Sequence, residues 1–216
     1  MKRLIIVCEG PTEQEFCTDV LAPHLLSRDI IVECPLIKKS GGGIISWEPL
    51  RAQLRNHLFE ADAYVTMLVD YYGLKNPESI PGWEESLGIA DKSQRIHFLQ
   101  QQIKADMDEN LRERFIPYIQ LHEFEGVLFS DIAPFKRYFD AKTCDFAKLQ
   151  EIITDFPNPE LINSNPNSAP SKRLGRIIAG YDKVLFGGVL SIDLGLNTIR
   201  QHCPLFNEWL TTLEQI

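Results

Sequence analysis

The sequence predicts an α/β fold, in which a mostly parallel sheet of about four strands is flanked by helices. Short runs rich in Ile, Val and Leu alternate along the chain with longer stretches of helical periodicity. These runs are apolar on both faces, which is typical of strands buried within a parallel sheet. Strands that alternate with helices form such a sheet with helices on both faces. At 216 residues the chain has the length of one large domain, residues 1–216.

Four apolar segments are the predicted strands. Each is bounded by turn residues or by an acidic residue, which marks where the buried run stops. The predicted strands are Leu4–Val7, Ile30–Ile37, Ala63–Val69 and Ile116–His122. The connections between them are long enough for right-handed crossovers.

The first predicted helix begins directly after the first strand. Thr12 as N-cap and Glu15 three positions later match a capping box. Pro23 is expected to end or kink this helix. A second helix is predicted from Ser46 as N-cap to about Phe59.

The remaining helical patterns lie outside the predicted sheet. Residues from about 74 to 115 are predicted as a helical insertion, with Ile96, Leu99, Ile103 and Met107 as its apolar stripe. A region from about 171 to 216 is predicted as a helical C-terminal extension of the same domain.

Composition limits the classes of function. The net charge of −8 and pI of about 5.2 argue against a general nucleic-acid binder, but not against a nuclease whose acids hold cations. Five cysteines without C-x-x-C pairs argue against a disulfide scaffold and predict reduced thiols. No apolar run is long enough to span a membrane, and none matches a signal peptide. We therefore expect a cytoplasmic protein without a membrane partner.

Acidic residues follow three of the predicted strands. Glu9 follows the first strand, Asp70 the third, and Glu123 and Glu125 the fourth. The carboxyl ends of parallel strands share one edge of the sheet, where α/β proteins bind ligands. Glu123 and Glu125 are expected to face the same way in an extended segment. Glu13, in the first turn of the first helix, can turn back to this edge.

Clustered carboxylates repel one another, and a hard cation such as Mg²⁺ or Mn²⁺ relieves that repulsion. Each acid also has a structural alternative. Glu13 can favour a helix N-terminus, Asp70 can serve a turn, and Glu123 or Glu125 can cap the following helix. Glu9 has no obvious capping use, so its position is the strongest indication of a metal site.

Three motifs together resemble a known family. The segments Glu9-Gly-Pro-Thr-Glu13, Val69-Asp-Tyr-Tyr72 and His122-Glu-Phe-Glu125 resemble the Toprim domain of topoisomerases, bacterial primases and overcoming-lysogenisation-defect (OLD) nucleases. The chain is most similar to small stand-alone Toprim-like bacterial proteins of unknown function, over nearly its whole length. The resemblance implies a Toprim-like, Rossmann-like fold. Tyr72 stands where the family has the second acid of its D-x-D motif.

The resemblance implies a role for each matching acid. Glu9 matches the strand-one glutamate, a metal ligand or general acid and base. Glu13 matches an additional acid that helps to hold a second metal in OLD-type nucleases. Asp70 matches the first acid of D-x-D, and Glu123 and Glu125 match the later acidic pair.

The basic residues form two candidate substrate-binding groups. The resemblance implies that Lys172 is the lysine that approaches the scissile phosphate, and Arg173 and Arg176 follow it. The basic, glycine-rich loop with Lys38, Lys39 and Gly42 is able to cradle a phosphate. A solvated basic face and a mobile connecting loop are the structural alternatives.

The sequence thus predicts a Mg²⁺- or Mn²⁺-dependent nuclease or phosphodiesterase, with Glu9 and Lys172 as catalytic residues and DNA favoured over RNA. The resemblance also implies an ABC-type ATPase partner and a role in phage or plasmid defence, and it allows a homo-oligomer. One alternative is a weakly active or inactive nucleic-acid-binding or regulatory subunit of an ATPase complex. A small-nucleotide hydrolase that uses the same acids is another.

Overall fold

The computed structural model describes residues 1–38, 46–60, 62–74, 76–162 and 168–216. Its centre is a five-stranded sheet in the order β2-β1-β3-β4, with β5 also paired to β3. Every strand pairing in these ranges is parallel, and helices flank the sheet, which confirms the predicted α/β class. The strands are β1 (Lys2–Cys8), β2 (Ile30–Glu33), β3 (Ala63–Asp70), β4 (Phe115–Ile116) and β5 (Ile119–Gln120).

The two central strands are the most buried part of the sheet. β1 and β3 pair in register from Arg3 opposite Ala63 to Cys8 opposite Leu68. Residues Leu4 to Cys8 are all buried, because helices cover both faces of the strand. The acids that follow β1 and β3 therefore lie side by side at one edge.

Eleven α-helices lie in the described residues. They are α1 (Pro11–Phe16), α2 (Ala22–Leu26), α3 (Trp47–Leu58), α4 (Trp83–Ser86), α5 (Lys92–Asp106), α6 (Ala133–Tyr138), α7 (Phe146–Asp155), α8 (Pro170–Ile177), α9 (Lys183–Leu194), α10 (Leu196–His202) and α11 (Pro204–Leu213). The 3₁₀ turns are Tyr71–Gly73, Pro77–Ser79, Arg112–Arg114, Phe124–Ser130 and Pro159–Leu161. None of these helices has the length and apolarity that a bilayer crossing requires.

The start of the first helix differs from the prediction. Gly10 is the N-cap and Pro11 opens the helix, so the predicted capping box on Thr12 is wrong. Pro at the first helical position lacks an N–H that would be unpaired there in any case. Helical structure continues through a π-helical segment, Cys17–Leu21, into α2, and Pro23 lies in the first turn of α2.

The predicted fourth strand is divided into two short strands. Pro117 separates β4 from β5, since proline has no N–H to donate to a neighbouring strand. The chain then turns at His122 and forms the 3₁₀ segment Phe124–Ser130 instead of the predicted α-helix. This segment is buried along its length, which brings Glu125 into the protein interior.

The other helical predictions agree with the structure. α5 begins after Asp91, whose carboxylate accepts a hydrogen bond of 2.8 Å from the N–H of Gln94. Its buried side chains include Ile96, Leu99 and Ile103, as the apolar stripe predicts. The C-terminal region is helical, from α8 to α11.

Candidate functional site

Two acids at the ends of the central strands are joined by a direct contact. The N–H of Asp70 donates a hydrogen bond of 2.9 Å to Glu9 Oε2. The N–H of Glu9 donates to the Leu68 carbonyl at 3.1 Å, which extends the pairing of β1 with β3 beyond the strand. The side chain of Glu9 is half-buried and that of Asp70 is buried. The sheet thus fixes both carboxylates at its carboxyl edge.

Two further acids reach the same edge from other elements. Glu13 is buried in the first turn of α1, and Glu125 is buried in the 3₁₀ segment. Asp70 interacts electrostatically with Glu9, Glu13 and Glu125. The structure therefore brings together four of the five acids identified in the sequence. We call these four residues the acidic cluster.

Burial and mutual repulsion change the acidity of the cluster. Burial raises the pKa of Asp70 well above its ordinary value, and the charges of Glu9 and Glu13 raise it further. Burial also raises the pKa of Glu125 to about 7, although Lys183 opposes this effect. A cation at this edge would favour the ionised form of both groups.

Lys183 is a positively charged residue that lies against the acidic cluster. Its Nζ lies 3.1 Å from Glu125 Oε2. Partial burial acts to lower the pKa of Lys183, but the charges of Glu125, Glu13 and Asp70 outweigh it and raise the pKa. The lysine side chain remains 42% exposed, whereas that of Glu125 is fully buried. Lys183 can therefore exchange its partner for water, but Glu125 cannot.

Close packing of α9 on α1 brings Lys183 to the acids. A Cβ atom on Gly187 would lie 2.7 Å from Cγ2 of Thr12, and one on Gly188 would lie 2.8 Å from Oε2 of Glu15. Glycine permits the close approach at Gly187, where the Thr12 side chain is buried, whereas the end of the exposed Glu15 side chain can move away from position 188. Lys183 lies one turn before Gly187, on the same face of α9. The pattern of a helix-start lysine followed by two glycines is the only sequence signal for this residue.

Glu123 is near enough to Glu125 for its charge to raise the pKa of that carboxyl, but its own carboxylate contacts a different element. Its Oε2 accepts a hydrogen bond of 2.9 Å from the N–H of Ser171, at the start of α8. The prediction assumed an extended segment, but a 3₁₀ turn begins at Phe124. Two residues span two thirds of a 3₁₀ turn, so the two side chains diverge. The Glu123 side chain does not cap the segment that follows it, which was the structural alternative, but binds the N-terminus of α8 instead.

The candidate basic residues have several different environments. Lys172 is exposed on the first turn of α8, next to the residue that Glu123 contacts. Arg173 donates to the carbonyls of Ser168 at 2.8 Å and Ile162 at 3.3 Å. It also lies 5.3 Å from the ring centre of Phe156. These contacts indicate a structural role for Arg173.

The other basic candidates do not join the acidic cluster in the residues that the structure describes. Arg176 is exposed and lines a surface groove with Lys142. Lys38 is exposed, and its N–H donates to Oε1 of Gln53 at 2.9 Å. Lys39 and Gly42 lie outside the described residues.

An aromatic surface follows the acidic strand end. Tyr72 is 45% exposed, and its ring stacks on that of His122 with centroids 5.0 Å apart. Lys92 Nζ lies 5.9 Å from the centre of the Tyr72 ring. Burial and the charge of Lys92 lower the pKa of His122 to about 3, so the imidazole is neutral at pH 7. Where a second D-x-D acid would stand, the protein has a stacking surface.

The donor atoms of the acidic cluster suit a hard cation. Both carboxylate oxygens of Glu125 are buried, and Oε2 faces the ammonium group of Lys183. Carboxylate oxygens are the ligands that Mg²⁺ and Mn²⁺ prefer. In the arrangement seen here, however, no three His, Cys, Asp or Glu side chains among the described residues are close enough to hold one ion. Lys183 supplies the positive charge instead.

Comparison with known proteins gives one match. The sequence profile of a family described as Domain of unknown function (DUF4276) matches residues 8–214. No curated protein matches the chain, and no solved structure matches it. The matched range contains all four acids of the cluster and Lys183.

Proposed function

The chain belongs to the DUF4276 family, a domain of unknown function, and we propose that it is a divalent-cation-dependent phosphodiesterase acting on nucleic acid. One observation carries the proposal: four carboxylates from separate elements meet at the carboxyl edge of a parallel sheet, around one partly exposed lysine. This edge is where α/β proteins bind ligands. The resemblance of the acidic motifs to the Toprim domain of OLD nucleases supports the same reaction class.

In this proposal Glu9, Asp70 and Glu125 would move closer together to hold Mg²⁺ or Mn²⁺, because no three such side chains among the described residues are close enough as they stand. Glu13 adds negative charge beside them. The bound cation would activate water and neutralise the phosphate oxygens. The oxygens of Glu125 are already buried, so cation binding would replace the ion pair with Lys183 without a further loss of hydration at Glu125. The N–H of Asp70 donates to Glu9 Oε2, and this contact holds the Glu9 carboxylate at the edge where the cation would bind.

Lys183 is the proposed catalytic lysine. Its side chain is partly exposed, so it can leave Glu125 when the cation binds and remain beside the acidic edge. There its ammonium group would approach a phosphate oxygen and stabilise the charge that develops on it. The resemblance implies this role for Lys172 instead. Substitution of each lysine in turn, with cleavage as the readout, decides which of the two is catalytic.

The aromatic surface supplies a proposed contact for the nucleic acid. Tyr72 is exposed, is supported from below by His122, and has Lys92 beside it. A nucleobase can stack on a tyrosine ring, and such contacts contribute about 1–3 kcal/mol per base. Lys92 would neutralise a neighbouring phosphate. The resemblance further supports a nucleic-acid substrate, for which we propose DNA, an ABC-type ATPase partner and a role in phage or plasmid defence. A cytoplasmic location, expected from the sequence, is part of the same proposal.

A second candidate function is a nucleic-acid-binding or regulatory subunit with little catalysis. Two observations favour it. The ion pair between Lys183 and Glu125 already neutralises part of the acidic cluster, and Tyr72 replaces an acid of the D-x-D motif. A stable lysine–carboxylate pair would make a cation unnecessary.

A cleavage assay separates the candidates. Supercoiled plasmid, single-stranded RNA and free nucleotides are each incubated with Mg²⁺, Mn²⁺ or EDTA and the wild type, Glu9→Gln or Glu15→Gln. Glu15 is an exposed acid on α1, outside the cluster, and is the matched control. Cleavage that requires a metal, survives Glu15→Gln and disappears in Glu9→Gln supports the phosphodiesterase. Metal-independent background of equal size in all three proteins supports the second candidate. Hydrolysis of free nucleotides alone would indicate a nucleotide hydrolase.

A further inference from the structure

Three cysteines from separate elements meet beside the end of β1. Cys8 is the last residue of β1, Cys34 directly follows β2, and Cys17 begins the π-helical segment. All are free thiols, and each of them is close enough to shift the pKa of the other two. The sequence gives no sign of this group, because the three cysteines have no common spacing.

The register of the sheet places Cys34 and Cys8 on one face. Ile5 lies opposite Glu33, and Cys8 lies opposite Leu36. The same offset puts Cys34 opposite Ile6, and residues two apart on a strand share a face. Cys8 and Cys34 are therefore diagonal neighbours on adjacent parallel strands.

The first helix places Cys17 over Cys34. The side-chain amide of Gln14 donates a hydrogen bond of 2.6 Å to the carbonyl of Cys34, which ties the helix to the end of β2. Cys17 lies three residues after Gln14, so both project from one side of the helix. Local π-helical geometry begins at Cys17, and such segments are frequent at functional sites.

The three thiols differ in their access to solvent. Cys8 and Cys17 are 0% exposed, whereas Cys34 is half-buried. Hydrogen bonds from Cys17 and Cys8 lower the pKa of Cys34, and burial raises the pKa of Cys17. Cys34 is thus the thiol that meets a dissolved reagent in its reactive, ionised form.

We propose that Cys34 and Cys17 form a peroxide-reactive thiol pair that closes to a disulfide. The Cys34 thiolate attacks one oxygen of hydrogen peroxide, the O–O bond breaks, and the departing hydroxide takes a proton to become water. The resulting sulfenic acid on Cys34 is attacked by the Cys17 sulfur, which loses its proton as the second water leaves. Two thiols are oxidised, one peroxide is reduced to two waters, and one S–S bond forms.

Strand geometry favours Cys17 over Cys8 as the second thiol. Diagonal neighbours on adjacent parallel strands have Cα atoms about 8 Å apart, from the strand spacing and the rise per residue. A disulfide requires a Cα separation below about 7 Å. Cys8 and Cys34 would have to pull their strands out of register, whereas a helix resting on the sheet can adjust.

Thiol counting after peroxide treatment tests the proposal on the full chain. The protein is treated with hydrogen peroxide, quenched with catalase, denatured and titrated for free thiols, and its peptides are mapped by mass spectrometry. We expect the count to fall from five to three, with one cross-linked peptide pair that joins Cys17 to Cys34. Dithiothreitol should restore five thiols. A count that stays at five, or a link from Cys34 to Cys8, would overturn the proposal.

Variants and a native-state measurement complete the test. Cys34→Ser should abolish the cross-link, and Cys17→Ala should convert it into oxidation of Cys34 alone. Cys144→Ser, a substitution outside the group, should leave the cross-link intact. If a variant fails to fold by circular dichroism, brief iodoacetamide labelling of the native wild type still decides, because Cys34 must be alkylated before the other four. The readout is independent of the proposed phosphodiesterase, so either proposal can fail alone.

Discussion

Glu125 and Glu160 are both buried carboxylates, and burial raises the pKa of each to about 7. Their surroundings differ. Glu160 accepts hydrogen bonds from the N–H groups of Leu205 at 3.0 Å and Phe206 at 2.8 Å, at the start of α11. Glu125 has no such pair of backbone donors among the described residues, and its partner is the ammonium group of Lys183, 3.1 Å from its Oε2.

This difference separates a structural acid from a functional one. The donors of Glu160 are fixed backbone groups at the positive end of a helix, so nothing else is needed to stabilise its charge. Glu125 faces other acids and a lysine that can reach water. A raised pKa alone would mark both residues as functional, whereas the fixed or exchangeable character of their partners distinguishes them.

The largest expected effect is on cleavage. Glu125→Gln should reduce metal-dependent phosphodiester cleavage by about 10³-fold, because an amide is a weak ligand for a hard cation. Glu160→Gln should leave the rate within about threefold of the wild type at a temperature where both proteins are folded. The measurement is the initial rate of plasmid nicking in Mn²⁺. Equal losses in the two variants would contradict the distinction between the two acids.

The next effect is on stability as a function of pH. Both pKa values rise from 4.5 unfolded to about 7 folded, so the folded protein binds more protons in this interval. The free energy of unfolding should therefore fall as pH rises from 4.5 to 7, by up to about 3 kcal/mol for each group. Urea titrations at several pH values measure this fall.

Magnesium distinguishes the two contributions to that fall. At pH 7, saturating Mg²⁺ should recover the part due to Glu125 and leave the part due to Glu160. Glu125→Gln should remove the response to Mg²⁺, and Glu160→Gln should retain it. A wild type whose stability is independent of Mg²⁺ at pH 7 would argue against a cation site at Glu125.

A smaller effect is expected from loss of the helix cap. Glu160→Ala should lower the free energy of unfolding by about 2 kcal/mol at pH 6, because it leaves two buried N–H groups without an acceptor. Binding of Mn²⁺ to the folded variant should be unchanged. Chemical denaturation and a Mn²⁺ titration measure these two properties, and weakened Mn²⁺ binding would give Glu160 a part in the site.

The smallest effect concerns the glycine contact that positions Lys183. Gly187→Ala should destabilise the protein by about 1–2 kcal/mol, because its Cβ would collide with Thr12 and displace α9. Gly175→Ala is the matched control, since no atom lies within 4 Å of its Cβ position in α8. The control should be neutral or more stable by up to about 1 kcal/mol. Thermal denaturation compares the two, and equal melting temperatures would contradict the close packing.

The strand ends could be predicted from the sequence, and with them most of the acidic cluster. Glu9 and Asp70 follow apolar runs directly, and parallel pairing of those runs is enough to bring them together. The position of Glu125 near these acids could also be predicted, provided that the fourth apolar run joins the same sheet. The contact of Glu123 with α8 could not be predicted, because it depends on a 3₁₀ turn that follows a strand already divided by Pro117.

Lys183 was beyond sequence reasoning for a different physical cause. Its position depends on how α9 packs across α1, and the two helices come close because Gly187 and Gly188 have no side chains. Hydrophobic periodicity predicts which face of a helix is buried, but not which helix it meets. The cysteine group arises likewise from packing of a helix on the sheet.

Binding of Mn²⁺ measured by electron paramagnetic resonance tests the acidic cluster most directly. The wild type, Asp70→Asn and Glu160→Gln are titrated at pH 7.5, above the raised pKa of Glu125. We predict that the wild type and Glu160→Gln bind Mn²⁺ with the same affinity, and that Asp70→Asn binds at least about 30-fold more weakly. Equal binding by all three proteins, or no binding by the wild type, would contradict the proposed cation site.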